Sequence, residues 1–77
     1  MSDDSKHEVE LIEFIAKAIV TQSDDVKVTA QDDGQLLELE TAAEDRGRVI
    51  GRQGRIAKAM RALLVATGSD SRLEIID

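Results

Sequence analysis

Arg46, Arg48, Arg52, Arg55, Lys58 and Arg61 fall within a stretch that contains no carboxylate, and Gly51 and Gly54 punctuate it with a Gly-x-x-Gly spacing. Guanidinium and ammonium groups at this density attract anions, and glycines remove the Cβ atoms that would hold backbone amides away from a ligand. The residues after Gly54 open a helical pattern, and the first amides of a helix favour negative charge. The chain carries a net charge of −6, so everything outside the strip, four basic against sixteen acidic residues, sums to −12. An acidic chain that gathers cations around one glycine turn reserves that turn for an anion, and a polymer of phosphates is the leading candidate. Amides and the side chains of Arg48, Arg52, Arg55 and Lys58 would grip phosphates, which positions a strand without reading its sequence. Bases would lie across a neighbouring apolar groove against Val49, Ile50, Ile56 and Ala57. Arg46 and Arg61 read as helix-face solvation or as partners of Glu44 or Asp45.

Other chemistries find little support. The chain has no cysteine and one histidine, His7, near the N-terminus, so thiolate metal sites are excluded and no metal site is expected. Asp3-Asp4, Asp24-Asp25 and Asp32-Asp33 fall in the terminal stretch or in turns and match no calcium loop. No serine stands beside a base, so no enzyme and no cofactor are expected. The single aromatic, Phe14, sits in an apolar helix pattern, which argues against base stacking on exposed rings. No apolar run approaches the length of a membrane span, and the absence of cysteine suits a reducing cytoplasm.

The elements that must position the strip follow from periodicity. Residues 1–7 are polar and read as a mobile tail, with 8–77 forming one small domain. Leu11, Ile12, Ile15, Ala16, Ala18 and Ile19 recur at helical spacing, predicting a helix from Glu8 to about Gln22. Val26, Val28 and Ala30 alternate as one face of a strand, Asp33-Gly34 signals a hairpin turn, and Leu37 and Leu39 return as the core face of a second strand. Thr41-x-x-Glu44 has the spacing of a capping box, which predicts a helix start at Thr41, with Gly51 as its stop. Ile56, Met60, Leu63 and Leu64 form the apolar stripe of another helix, ending near Thr67-Gly68. Arg72 to Asp77 alternates as a last strand. A connection holding two helices suits a crossover between parallel strands. The expectation is an α+β domain of order α-β-β-α-α-β, with a three-stranded mixed sheet and three helices on one face.

That order, together with Val49-Ile50-Gly51-Arg52-Gln53-Gly54 and the following Arg55-Ile56-Ala57-Lys58-Ala59, resembles a KH (K-homology) domain of type II. It is similar above all to the small stand-alone bacterial KH proteins of the KhpA type, over roughly Val9 to Asp77. The resemblance implies that Gly51, Arg52, Gln53 and Gly54 clamp about four nucleotides of single-stranded RNA or DNA backbone. It implies further that Ile50 and Ile56 line the base groove, with the final strand as its other wall. Many KH domains carry isoleucine where this chain has Ala57, so either Ile56 or Ala57 faces that groove. The family's members are regarded as RNA chaperones or post-transcriptional regulators. They are associated with homodimers, with a larger KhpB (Jag)-type KH partner and with control of cell shape.

Two other functions fit the residues. In one, the alanines at 57, 59, 62 and 66 make a dimerisation surface and nucleic acid is incidental. In the other, a helix-turn-helix presents Arg55, Lys58 and Arg61 to duplex DNA, although its acidic first helix would then face the backbone.

Overall fold

Leu37 and Leu39 alternate with Glu38 and Glu40, and this period of two decides which side of the molecule is inside. The computed structural model describes residues 2–76. Both leucines are fully buried on the central strand of a three-stranded sheet. Strand β1 (Lys27–Gln31) pairs antiparallel with β2 (Leu36–Glu40), and β2 pairs parallel with β3 (Arg72–Ile76). The register sets Ala30 against Leu37 and Leu37 against Leu73, then Val28 against Leu39 and Leu39 against Ile75. These residues make one apolar face. The other face carries charge, and there Glu38 stands directly beside Glu74.

Three helices cover the apolar face. Helix α1 (Ser2–Ile19) lays Ile12 and Ala16 onto β1 and β2, helix α2 (Arg46–Ile50) inserts Val49, and helix α3 (Arg55–Ala66) contributes Ala57, Met60 and Leu64. With Val26, Leu37, Leu39 and Leu73 they form a continuous core. The order is α-β-β-α-α-β, and α2 and α3 lie on the crossover between the parallel neighbours β2 and β3.

Several boundaries differ from the sequence expectation. Helix α1 begins at Ser2, so the stretch expected as a tail is helical up to His7, while Met1 lies outside the described residues. Once Ile12 and Ala16 anchor the helix, each further residue adds a hydrogen bond without a new nucleation cost. The hairpin turn centres on Asp32-Asp33, with φ of 54° and 57°, and the Gly34 amide bonds Gln31 O at 3.0 Å. Glycine follows this left-handed pair, also at positive φ, and does not supply its centre. Ala30 shares the apolar face but lies at its uncovered end and is exposed.

The capping box does not form. The Thr41 hydroxyl donates to Ala42 O at 3.0 Å, a 3-10 turn follows over Ala43–Asp45, and α2 starts only at Arg46. Asp77, expected in the last strand, lies outside the described residues.

Candidate nucleic-acid interface

Helix α2 spans only five residues, far below the length at which a helix is stable alone. Two side chains one helical turn apart hold it. Val49 is fully buried, a contact worth about 2 kcal/mol. Asp45, the residue just before α2, is also fully buried, and its carboxylate reaches the chain beyond the end of α1. It accepts from the Thr21 amide at 3.0 Å, the Thr21 hydroxyl at 2.9 Å and the Gln22 amide at 3.0 Å. Arg48 Nε lies 3.5 Å away. The amide of Thr21 is the main cause that holds the Asp45 carboxyl below the usual range; burial opposes it, and the Thr21 hydroxyl, Gln22 amide and Arg48 assist.

At Gly51 the chain leaves α2. The Gly51 amide closes the helix on Gly47 O at 2.8 Å, and Gly51 takes φ 78°, ψ 169°, a region that side chains avoid. Arg52 and Gln53 form the tip, the Gly54 amide returns to Gly51 O at 3.1 Å, and α3 begins at Arg55. Gln53 (φ 58°, ψ 25°) and Gly54 (φ 74°, ψ 16°) are both left-handed.

The tip is exposed and cationic. Arg48, Arg52, Gln53, Arg55 and Lys58 all face solvent. Arg55 Nη2 reaches Gln53 Oε1 at 3.4 Å, a long contact across the tip. Among the described residues, Arg52, Arg55 and Lys58 have no carboxylate partner, whereas Lys17 pairs with Glu13, Arg48 with Asp45 and Arg72 with Glu74. Positive charge at the turn is thus left uncompensated in a chain with a large excess of acid.

Apolar surface adjoins the tip. Ile50 is 37% exposed, and Ile56 is half-buried, packed against the core and against Gly51. Val49 and Ala57 are buried in the core, so neither of them lines a surface groove. Between the two alternatives left open by sequence, Ile56 is the accessible one. Across the fold, Leu73 is buried and Ile75 half-buried on the helix-facing side of β3. Arg61 lies outside this site. Its Nε and Nη2 donate to Leu73 O at 3.3 and 3.2 Å, tying α3 to the edge strand. A concavity lined by Arg61, Val65, Ser71, Arg72, Leu73 and Glu74 lies toward the far end of α3, away from the glycine turn.

Asp45 is the residue that periodicity missed. It stands four positions before Val49, hence on the same face of a helical turn, and a carboxylate on an apolar face needs partners. No arrangement of three or more His, Cys, Asp or Glu able to hold a metal ion occurs among the described residues, nor does any helix there long and apolar enough to cross a membrane.

Residues 9–75 match the family model described as KhpA/KhpB, KH domain. The chain belongs to this KH-domain family. Among its relatives is the RNA-binding protein KhpA of Halalkalibacterium halodurans, 45% identical over 87% of this chain and 96% of the relative. The proteins of the same name from Borreliella burgdorferi and Treponema pallidum are 44% and 47% identical, over 92% and 91% of this chain and 94% and 95% of their own lengths. No solved structure matches the chain significantly. Membership in the KhpA/KhpB family accords with the element order and with the glycine turn between α2 and α3.

Proposed function

We propose that this chain is a single-stranded RNA-binding protein acting as an RNA chaperone or post-transcriptional regulator in the bacterial cytoplasm. Gly51, Arg52, Gln53 and Gly54 clamp the backbone, Arg48, Arg55 and Lys58 neutralise phosphates, and Ile50 and Ile56 receive bases; single-stranded DNA fits the same contacts. The observation that carries this reading is the cluster of cations without carboxylate partners around a turn whose glycines admit close approach. The names of the relatives, each an RNA-binding protein, support it. The test is the double variant Arg52→Asp/Gln53→Asp. Aspartate tolerates the left-handed backbone of position 53, so circular dichroism and melting should stay near wild type while binding to unstructured RNA collapses. Unchanged binding in that variant overturns the reading.

A second reading, self-association, is favoured by α3, where Ala59, Ala62 and Ala66 are exposed and Leu63 is 43% exposed. Ala57 does not belong to that surface, since it is buried. In this reading the chain forms a homodimer, or pairs with a larger KH protein of the KhpB type and serves cell-shape control through it. Light scattering at micromolar concentration decides the first part: a strict monomer removes the homodimer.

A further inference from the structure

Among residues 6–76 Asp45 is the only buried ionisable side chain. Burying a carboxylate is costly unless its oxygens are hydrogen-bonded, and here both are. Oδ1 accepts from the Thr21 amide and hydroxyl and faces Arg48 Nε, while Oδ2 accepts from the Gln22 amide. An apolar residue would have filled the space without fixing a direction. The carboxylate fixes one, because its acceptors must meet donors on a segment 23 and 24 residues away in sequence.

Two parts of the interface depend on that direction. The Gly51 amide bonds Gly47 O, so the glycine turn is carried directly on α2. Arg48, one helical turn beyond Asp45, meets the carboxylate through Nε, and its side chain is 58% exposed. The contact is an ion pair and not a hydrogen bond, so the buried carboxylate biases the position of the guanidinium without locking it. A guanidinium biased in this way loses less entropy when it meets a phosphate than one on a freely rotating chain.

We propose that Asp45 is a positioning residue for nucleic-acid binding: without touching RNA, it holds Arg48 and, through α2, the Gly51–Gly54 turn in the geometry that receives phosphate. This rests on the RNA-binding reading above. A purely structural Asp45 would alter stability and leave the affinity of each folded molecule unchanged. A positioning Asp45 alters that affinity, and does so through Arg48.

The experiment uses the full chain, with Asp45→Asn, Arg48→Gln, their double variant and Thr21→Val. Binding of a labelled, unstructured oligouridine is measured and corrected for the folded fraction from circular dichroism at the assay temperature. Asp45→Asn should weaken binding per folded molecule about tenfold, and the double variant should bind no worse than Asp45→Asn alone. Thr21→Val keeps the carboxylate and removes one clamp donor, so it should shift affinity in the same direction by less, and it serves if Asp45→Asn does not fold. In the free protein, NMR should show the Arg48 Nε resonance shifted between wild type and Asp45→Asn as the neighbouring charge is removed. The Gly51, Gln53 and Gly54 amides should shift with it, while those of β2 stay in place.

Wild-type affinity in folded Asp45→Asn or Thr21→Val, a tighter complex, additive losses in the double variant, or unmoved turn amides each overturn the proposal. A wild-type chain that ignores the oligouridine overturns the RNA-binding reading instead, and the NMR arm still decides whether Asp45 orders the turn.

Discussion

Gly51 and Ile56 interlock: a Cβ built on Gly51 would stand 2.7 Å from Ile56 Cγ1, 2.9 Å from the Ile56 backbone nitrogen and 3.0 Å from its Cβ. The first glycine of the turn therefore answers a shortage of space as well as an unusual φ. Backbone nitrogen cannot swing aside as a side-chain tip can. The closeness also sets how Ile56 meets the surface, since α3 starts against α2 at this contact.

The two glycines should consequently fail differently. Gly54 is left-handed, but a Cβ there meets nothing within 4 Å. Gly54→Ala should cost about 1 kcal/mol, the backbone penalty alone, and Gly54→Asn less. Gly51→Ala adds a clash to its backbone penalty and should cost about 2 kcal/mol or more, lowering the melting temperature by roughly 10 °C in a domain of this size. Equal melting temperatures for the two alanine variants would contradict the interlock.

Acid should act through Asp45. Its carboxyl titrates below the ordinary range in the folded chain, chiefly because the Thr21 amide donates to it. The unfolded chain takes up this proton near pH 3.9, so the stabilisation is fully present above that pH. It is lost as pH falls through the lower folded value. Melting curves of wild type and Asp45→Asn should therefore differ by a constant amount from neutral pH to about pH 5 and converge in stronger acid. A gap that persists undiminished at the acid end would refute the assignment.

Salt should weaken RNA binding in proportion to the phosphates neutralised. If three of the four cations at the turn (Arg48, Arg52, Arg55 and Lys58) each displace a counterion, log K against log salt should fall with a slope of about −2, and changing one of those three to glutamine should flatten it by about 0.7. A titration series in potassium chloride measures this; a slope near zero would remove phosphate contact as the basis of binding.

Arg61 should behave as a strut and not as a ligand. Both its bonds go to Leu73 O on the edge strand. Arg61→Ala should destabilise by about 1 kcal/mol in urea unfolding while oligouridine affinity stays near wild type. A large loss of affinity at unchanged stability would move Arg61 into the interface.

Much of the fold is legible in the residues themselves, because strong periodicity and burial coincide: Leu37 and Leu39 alternate and are buried, and Met60 and Leu64 fall on one helical stripe and are buried. The turn is legible because glycine spacing and charge need no tertiary context. What fails is chemistry with more than one local solution. The residues after Thr41 form a 3-10 turn over Ala43–Asp45 with Ala42 at its cap, so no helix starts at Thr41 for its hydroxyl and Glu44 to box. Asp33-Gly34 signals a turn, yet Asp32 and Asp33 accept the left-handed centre themselves. Asp45 is hidden for another reason: its partners, Thr21 and Gln22, are distant in sequence, and no local pattern announces a bond made across the fold.

The outer face of the sheet bears on rate. Setting Glu38 beside Glu74 costs sheet stability, since like charges on adjacent strands repel. Arg72 offsets part of that repulsion by pairing with Glu74 at 3.6 Å, whereas Arg52, Arg55 and Lys58 at the glycine turn have no carboxylate partner among the described residues. In a chain of net charge −6, uncompensated cations confined to the turn steer a polyanion toward it before contact forms. Such steering acts on the rate of arrival more than on the strength of the final complex, and it fades as salt screens the turn.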